Sequence, residues 1–235
     1  MSSDNAIPVY LETGKRRTFA GALDWPGWCR SGRDETAAME TLLNYSPRYA
    51  RVLLAQGIAF PTPVVCCDLA LVESLPGSAT TDFGAPAAVP AADERSMDDE
   101  ALEFLSSILK TCWLAFDRAF RSAEGKILRK GPRGGGRDVP AIVQHVLDAN
   151  RAYLAKLAWK PTIDPEASPA AQLDQMLEDV LNALTTAAAG ELPSRRPRGG
   201  KLWPPRYLAR RAAWHMLDHA WEIEDRIVQP PYQAP

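Results

Sequence analysis

RRAAWHMLDHAWEIEDR, residues 210–226, sets two histidines four positions apart, His215 and His219, in a run whose pattern reads as one helix. On an α-helix, positions i and i+4 share a face, so both imidazoles come within ligand distance of a common cation. The third histidine, His145, stands in VPAIVQHVLDANRAYL (139–154), where Ala141, Ala149 and Ala152 share its face and leave room beside the ring. The chain holds 3 histidines, so none is left over once these are grouped. Neutral imidazole suits Zn, Ni, Fe or Cu, and three protein nitrogens leave positions open, the pattern of a catalytic rather than a closed structural site. From the residues alone, a chance HxxxH with His145 as an ordinary core or surface residue stays open as the other reading.

Working outward, four helical segments follow one another at about 98–122, 139–159, 169–189 and 205–228, separated by loops that carry Pro and Gly. Leu105, Ile108, Leu109, Cys112, Trp113 and Phe116 show the three-to-four spacing of the first, and Leu173, Met176, Leu177, Val180, Leu181 and Leu184 that of the third. The arrangement predicts an up-down-up-down four-helix bundle. Pro132-Arg133-Gly134-Gly135 precedes the second helix and Pro197-Arg198-Gly199-Gly200 the fourth. In an alternating bundle those two helices run the same way. Arg129, Lys130, Arg133 and Arg137 would then meet Arg195, Arg196, Arg198 and Lys201 at one mouth, focusing negative charge. Two unrelated solvated turns remain the alternative.

Before the helices, PVYLETG (8–14) and RTFAGALD (17–24) read as strands, the second ending at Trp25-Pro26-Gly27. Asp34 caps a helix that runs to Gly57 and that Pro47 should kink or split, and a further strand spans about Val64 to Leu75. The local order is β-β-α-β. Residues 77–97 lack a sustained period and read as a linker. The expected fold class is therefore α+β: a domain over 1–76, a linker over 77–97 and a helical domain over 98–235.

Composition narrows the function classes. The 235 residues are 46% hydrophobic and 24% charged, with net charge −2, so no global charge favours nucleic acid or an anionic membrane. Basic residues are interleaved with Gly and Pro rather than aromatic platforms, apart from Trp203 and Tyr207, which argues against nucleic-acid binding. Asp4, Glu12, Lys15, Arg16 and Arg17 break any apolar leader, and a cytoplasmic protein is expected. Cys29, Cys66, Cys67 and Cys112 lack CxxC spacing; the adjacent pair should point to opposite faces of a strand, and a redox role for it stays open. The partner expected is a small molecule, and a homodimer is compatible with an exposed helical face.

Around the triad, Glu222 lies three residues beyond His219, about 60° away on the helical wheel. It is the candidate catalytic base, with an ion pair to Arg226 as its alternative. Asp218 could orient an imidazole. Tyr153 and Arg226 could line the pocket, and Trp214 and Trp221 suit packing on another face.

A first histidine on the second helix, HxxxH on the fourth, and a bundle of about 130 residues over 98–229 resemble the DinB-like superfamily. That resemblance implies a divalent metal (Zn, Ni or Fe) held by His145, His215 and His219. It also implies a thiol-dependent transferase, isomerase or hydrolase, with a low-molecular-weight thiol as a possible second cofactor. FAGALDWPGWCRSGRDETAAMETL, within residues 8–76, is similar to the HicB-like domain, which in antitoxins masks a toxin nuclease. No DNA-binding segment follows it here, so a module covering one side of the bundle is expected. The function implied is a metal-dependent enzyme that activates water or a thiol for attack on a small electrophile; the alternative is a non-catalytic binding protein with a structural or vestigial metal.

Overall fold

The computed structural model describes residues 6–130, 136–193 and 201–228. The fold is α+β, a mixed sheet followed by helices. Strands β1 (Ile7–Thr13), β2 (Thr18–Ala22), β3 (Cys29–Gly32) and β4 (Leu69–Pro76) form one sheet in the order β3-β2-β1-β4. The first three meander antiparallel, with Val9 opposite Ala22 and Phe19 opposite Ser31, and β4 lies parallel to β1. A parallel partner requires a crossover, which α1 (Glu35–Asn44) and α2 (Ser46–Leu54) supply. Asp34 caps α1 by accepting from the Ala37 amide, and Pro47 opens α2, so the expected split falls at that proline.

Three sequence expectations need correction here. The order is β-β-β-α-α-β, because CRSG forms β3; four residues with Arg, Ser and Gly carry no apolar alternation to announce a strand. The last strand begins at Leu69, not Val64. Cys66 and Cys67 occupy a short 3-10 turn, both exposed and free, and so do not project from opposite faces of a strand. Residues 77–97 are tied down along their length. They contain α3 (Ala79–Phe83), and the buried Glu12 carboxylate accepts from the Thr81 hydroxyl and from the Ala87 and Ala88 amides.

Four long helices follow: α4 (Asp99–Ser122), α5 (Val139–Lys156), α6 (Pro169–Ala188) and α7 (Pro205–Arg226). Asp98, Asp138 and Ser168 cap the first three through amides three residues on, while α7 starts at Pro204-Pro205. Their directions follow from their ends. Arg206 at the start of α7 donates to the Ser96 carbonyl just before α4, and residues 128 and 227 bridge just beyond both, so α4 and α7 run the same way. The Trp203 amide donates to the Lys156 carbonyl at the end of α5, and Arg226 at the end of α7 donates to the Arg137 carbonyl before α5. Thus α5 opposes α7. Trp159, beyond α5, reaches Asp179 midway along α6, and Leu173 near the start of α6 accepts from Trp113 of α4, so α6 runs with α5. The order is up-down-down-up, not the alternating one. The connection over residues 157–168 carries the chain back along the stack before α6 begins, which the three-to-four periodicity of the helices does not report.

The described residues of the two basic clusters consequently lie at opposite ends of α7. Arg129 and Arg137 sit at its C-terminal end, while Lys201 at the other end pairs with Glu94. Arg133, Arg195, Arg196 and Arg198, and both Pro-Arg-Gly-Gly repeats, lie outside the described residues. No helix among the described residues is long and apolar enough to cross a membrane.

One hydrophobic cluster runs from Val9, Leu11 and Ala20 of the sheet through Trp28 and Tyr49 to Phe116, Ile142, Met176 and Leu217 of the long helices. Sheet and helices therefore share a core. Gly27 lies at φ +95 in the turn after β2, and a Cβ there would stand 3.0 Å from Leu217. At this point only glycine permits both the turn and the approach of α7. The deepest tie is polar. Arg210 of α7 is buried and forms a two-pronged pair with Asp93 at 2.7 Å, and it donates to the Ala22 and Leu23 carbonyls. Burial would lower the Arg210 pKa, but the hydrogen bonds and charge of Asp93 outweigh it and hold the guanidinium more basic than usual. Asp93→Ala leaves that cation buried without its counter-charge, so urea unfolding should show a loss of about 3–5 kcal/mol.

Candidate metal centre

α7 is buried on nearly every side. The sheet side takes Trp214, edge-on to Phe19 at 6.1 Å between ring centres, and Trp221, tilted against Tyr45 at 5.2 Å. The opposite side meets α5, and there the histidines gather. His215 and His219 sit one turn apart on α7, and His145 enters from α5.

The Nε2 atom of His215 lies 3.2 Å from the Nε2 of His145 and 3.2 Å from the Nε2 of His219. The three groups offer ligand atoms that all lie within 4.8 Å of one another. Metal–nitrogen bonds of about 2.0–2.1 Å at tetrahedral angles set ligand nitrogens about 3.3–3.4 Å apart, close to what is found. Hydrogen bonding among the rings explains the cluster less well, because a proton on the central Nε2 serves only one of its two 3.2 Å contacts. Three ring nitrogens this close together suit a cation.

Protonation states agree. Burial, with the neighbouring His219 and Arg137 charges, lowers His145 to about 4, and burial with the other two histidines holds His215 well below its usual value. Both rings are neutral at neutral pH, the form that ligates. His145 is half-buried and His215 and His219 are buried, so the group meets solvent on the α5 side.

Glu222 completes the cluster in a particular way. Its Oε2 lies 2.7 Å from Nδ1 of His219, and its Oε1 takes the Arg226 guanidinium at 2.5 Å. Arg226 is fixed in turn by the Arg129 and Arg137 carbonyls. Burial would raise the Glu222 carboxyl, but the bonds from His219 and Arg226 prevail and hold it below its usual value. A carboxylate on Nδ1 keeps the proton there and turns the Nε2 lone pair toward the cluster. Both the carboxylate on the imidazole and the ion pair with Arg226 are therefore present together. Asp218 does not orient an imidazole; it pairs with Arg30 of β3 at 3.0 Å. The Nδ1 of His215 is buried with no hydrogen-bond partner among the described residues.

On the other side of His215, Tyr153 lies edge-on to the ring at 5.8 Å, against Trp203 at 5.5 Å. Above Tyr153 and Trp214 stands Arg211, at 5.4 and 4.7 Å from the two rings. Sequence reading singled out Tyr153 and passed over Arg211. The signal was present, since Arg211, His215 and His219 are spaced i, i+4, i+8 on one helix. A cavity of about 900 Å3 opens where α4 ends and α5 and α6 begin, lined by Val143, Leu147 and Arg226 among others. None of the three histidines lines it; Arg226 links it to Glu222.

Glu222→Gln keeps the shape but loses the charge that orients His219, so the affinity of the purified protein for Zn should fall about 10–100-fold in a chelator-competition titration. No family model matches this sequence, and comparison with curated proteins and with solved structures likewise finds no match.

Proposed function

We propose that the protein is a metal-dependent enzyme of the DinB-like type, with His145, His215 and His219 as ligands, acting on a small electrophile with water or a low-molecular-weight thiol as nucleophile. The observation that carries this reading is the gathering of three imidazole nitrogens within 4.8 Å of one another. When bound, the cation supplies Lewis acidity that makes a water or thiol reaching it more nucleophilic at neutral pH. The rest is done by the chain. His145 and His215 present unprotonated Nε2 atoms without first having to lose a proton. Glu222 fixes His219. Since both its oxygens are occupied, we assign it a positioning role and not that of the base expected from sequence. Trp214, Trp203 and Tyr153 shield the α7 side of the cluster from water.

The helical part is read as a DinB-like four-helix bundle on three grounds: four long mutually packed helices, a histidine on the second, and two histidines four apart on the fourth. The N-terminal part is read as a HicB-like module in a covering role. It packs against α7 through Phe19 on Trp214, Arg30 on Asp218 and Arg48 on Glu224.

The test begins with elemental analysis of untagged protein. About one equivalent of a divalent transition metal is expected, and His215→Ala, which removes the central nitrogen, should lose most of it. Unchanged metal content in His215→Ala, or failure of the wild type to take up Zn, Ni and Fe, overturns the reading. For the chemistry, the metal-loaded protein is offered 1-chloro-2,4-dinitrobenzene with cysteine or glutathione, and 4-nitrophenyl acetate with water. Turnover that EDTA abolishes and metal restores is expected for at least one pair. A stoichiometric metal with no turnover of any pair favours a binding protein instead.

A further inference from the structure

Arg211 is 8% exposed, yet its Nη1 has no hydrogen-bond partner, and no ion pair involves it among the described residues. Its neighbour in sequence shows what a buried arginine ordinarily requires. Arg210 has both oxygens of Asp93 and two backbone carbonyls. Among the described residues Arg211 is held by the faces of Trp214 and Tyr153. Those contacts hold the guanidinium plane from the side but accept none of its in-plane N–H bonds. A largely buried cation with a buried, unpaired Nη1 is costly unless something anionic visits it.

Its position says what that visitor would do. Arg211 and His215 are four apart on α7, one turn or about 6 Å along the helix axis. Trp214 and Tyr153, which flank Arg211, also lie 5.9 and 5.8 Å from the His215 ring. One aromatic-walled seam between α5 and α7 thus joins the free guanidinium to the histidine cluster. Toward the other end of α7, Arg226 and Glu222 neutralise each other, so Arg211 is the unmatched positive charge nearest the histidines on that helix. A planar fork of donors matches a carboxylate.

We propose that Arg211 anchors the carboxylate of a small substrate that lies along the α5–α7 seam and presents its reacting end to His145, His215 and His219. This rests on the metal reading for the reacting end but not for the anchor. The one-turn span limits the ligand to a short chain, with the carboxylate only a few bonds from the group at the histidines. Aromatic walls favour an uncharged middle.

Malonate and inorganic phosphate are titrated calorimetrically into the full chain, zinc-loaded and EDTA-stripped, as wild type, Arg211→Lys and Arg211→Met. Malonate should bind the loaded wild type, and Arg211→Met should bind it at least about tenfold more weakly at unchanged zinc content, since a hydrogen bond to a charged group is lost. Arg211→Lys, which keeps the charge without the fork, should fall between. Stripped wild type should still bind malonate in an Arg211-dependent way, more weakly for want of the second contact. If the chain takes up no zinc, the metal reading fails and that stripped titration alone decides the anchor. Equal malonate affinity in wild type and Arg211→Met, no malonate binding to wild type, or tighter binding of phosphate than of malonate overturns the proposal. Should Arg211→Met not fold, Arg211→Gln takes its place under the same criteria.

Discussion

Everything in this molecule turns on the burial of α7. Of its residues, Tyr207 to Leu217 form an unbroken buried run, and His219, Ala220, Trp221 and Ile223 extend it. A helix packed on nearly all sides ordinarily carries apolar residues throughout. This one carries Arg210, Arg211, His215 and His219 into the interior, and each sets a requirement that neighbouring elements must meet. Arg210 accounts for the connecting segment: Asp93 is brought under the sheet edge to pair with it, and the end of β2 supplies two carbonyls. The tethering of residues 77–97 follows from that requirement as much as from the Glu12 contacts.

The histidines meet the same constraint differently. Protonated, three rings with nitrogens 3.2 Å apart would repel one another in a medium that screens poorly, and burial opposes each charge further. The cluster survives folding by staying neutral at His145 and His215, with the nearest carboxylate kept on the far nitrogen of His219. Neutral rings with nitrogens this close together can share one electron-poor ion between them. What makes the group tolerable in the core is also what makes it a ligand set.

What was legible in the sequence, and what was not, divides along the same line between local and tertiary causes. His215 and His219 share a face because of helix geometry alone, Asp34 acts on an amide within one turn, and Pro47 sets the first turn of its own helix, so spacing sufficed. The strand β3 was hidden because its pairing with β2, not its own composition, makes CRSG extended. The reversal of α6 was hidden because amphipathic spacing is blind to direction; only the length of the 157–168 connection hinted at a return. His145 reached the site because it lies on the α7-facing side of α5 at the height of His215. Glu222 was placed correctly on the histidine face by its three-residue offset. Its role could not be read there, because it depends on Arg226 being held by two carbonyls from the segment before α5.

Arg210 and Arg211 then form a comparison that the fold itself supplies. They are adjacent, chemically identical and comparably buried, and they leave the helix about 100° apart. The one turned to the sheet is saturated by groups from two different parts of the chain, the end of β2 and Asp93. The one turned to the histidines is held only by ring faces, which are worth about 0.5–2 kcal/mol each and replace none of its hydrogen bonds to water. If burial alone explained Arg211, an apolar residue would serve that position better, as it does at Leu208 and Leu217. Its neighbour shows that this chain can provide a full set of acceptors where structure demands one. Unsatisfied polar groups in an otherwise consistent core concentrate where a ligand completes them. Here the two least satisfied buried groups on α7, Nη1 of Arg211 and Nδ1 of His215, lie one helical turn apart on the same seam.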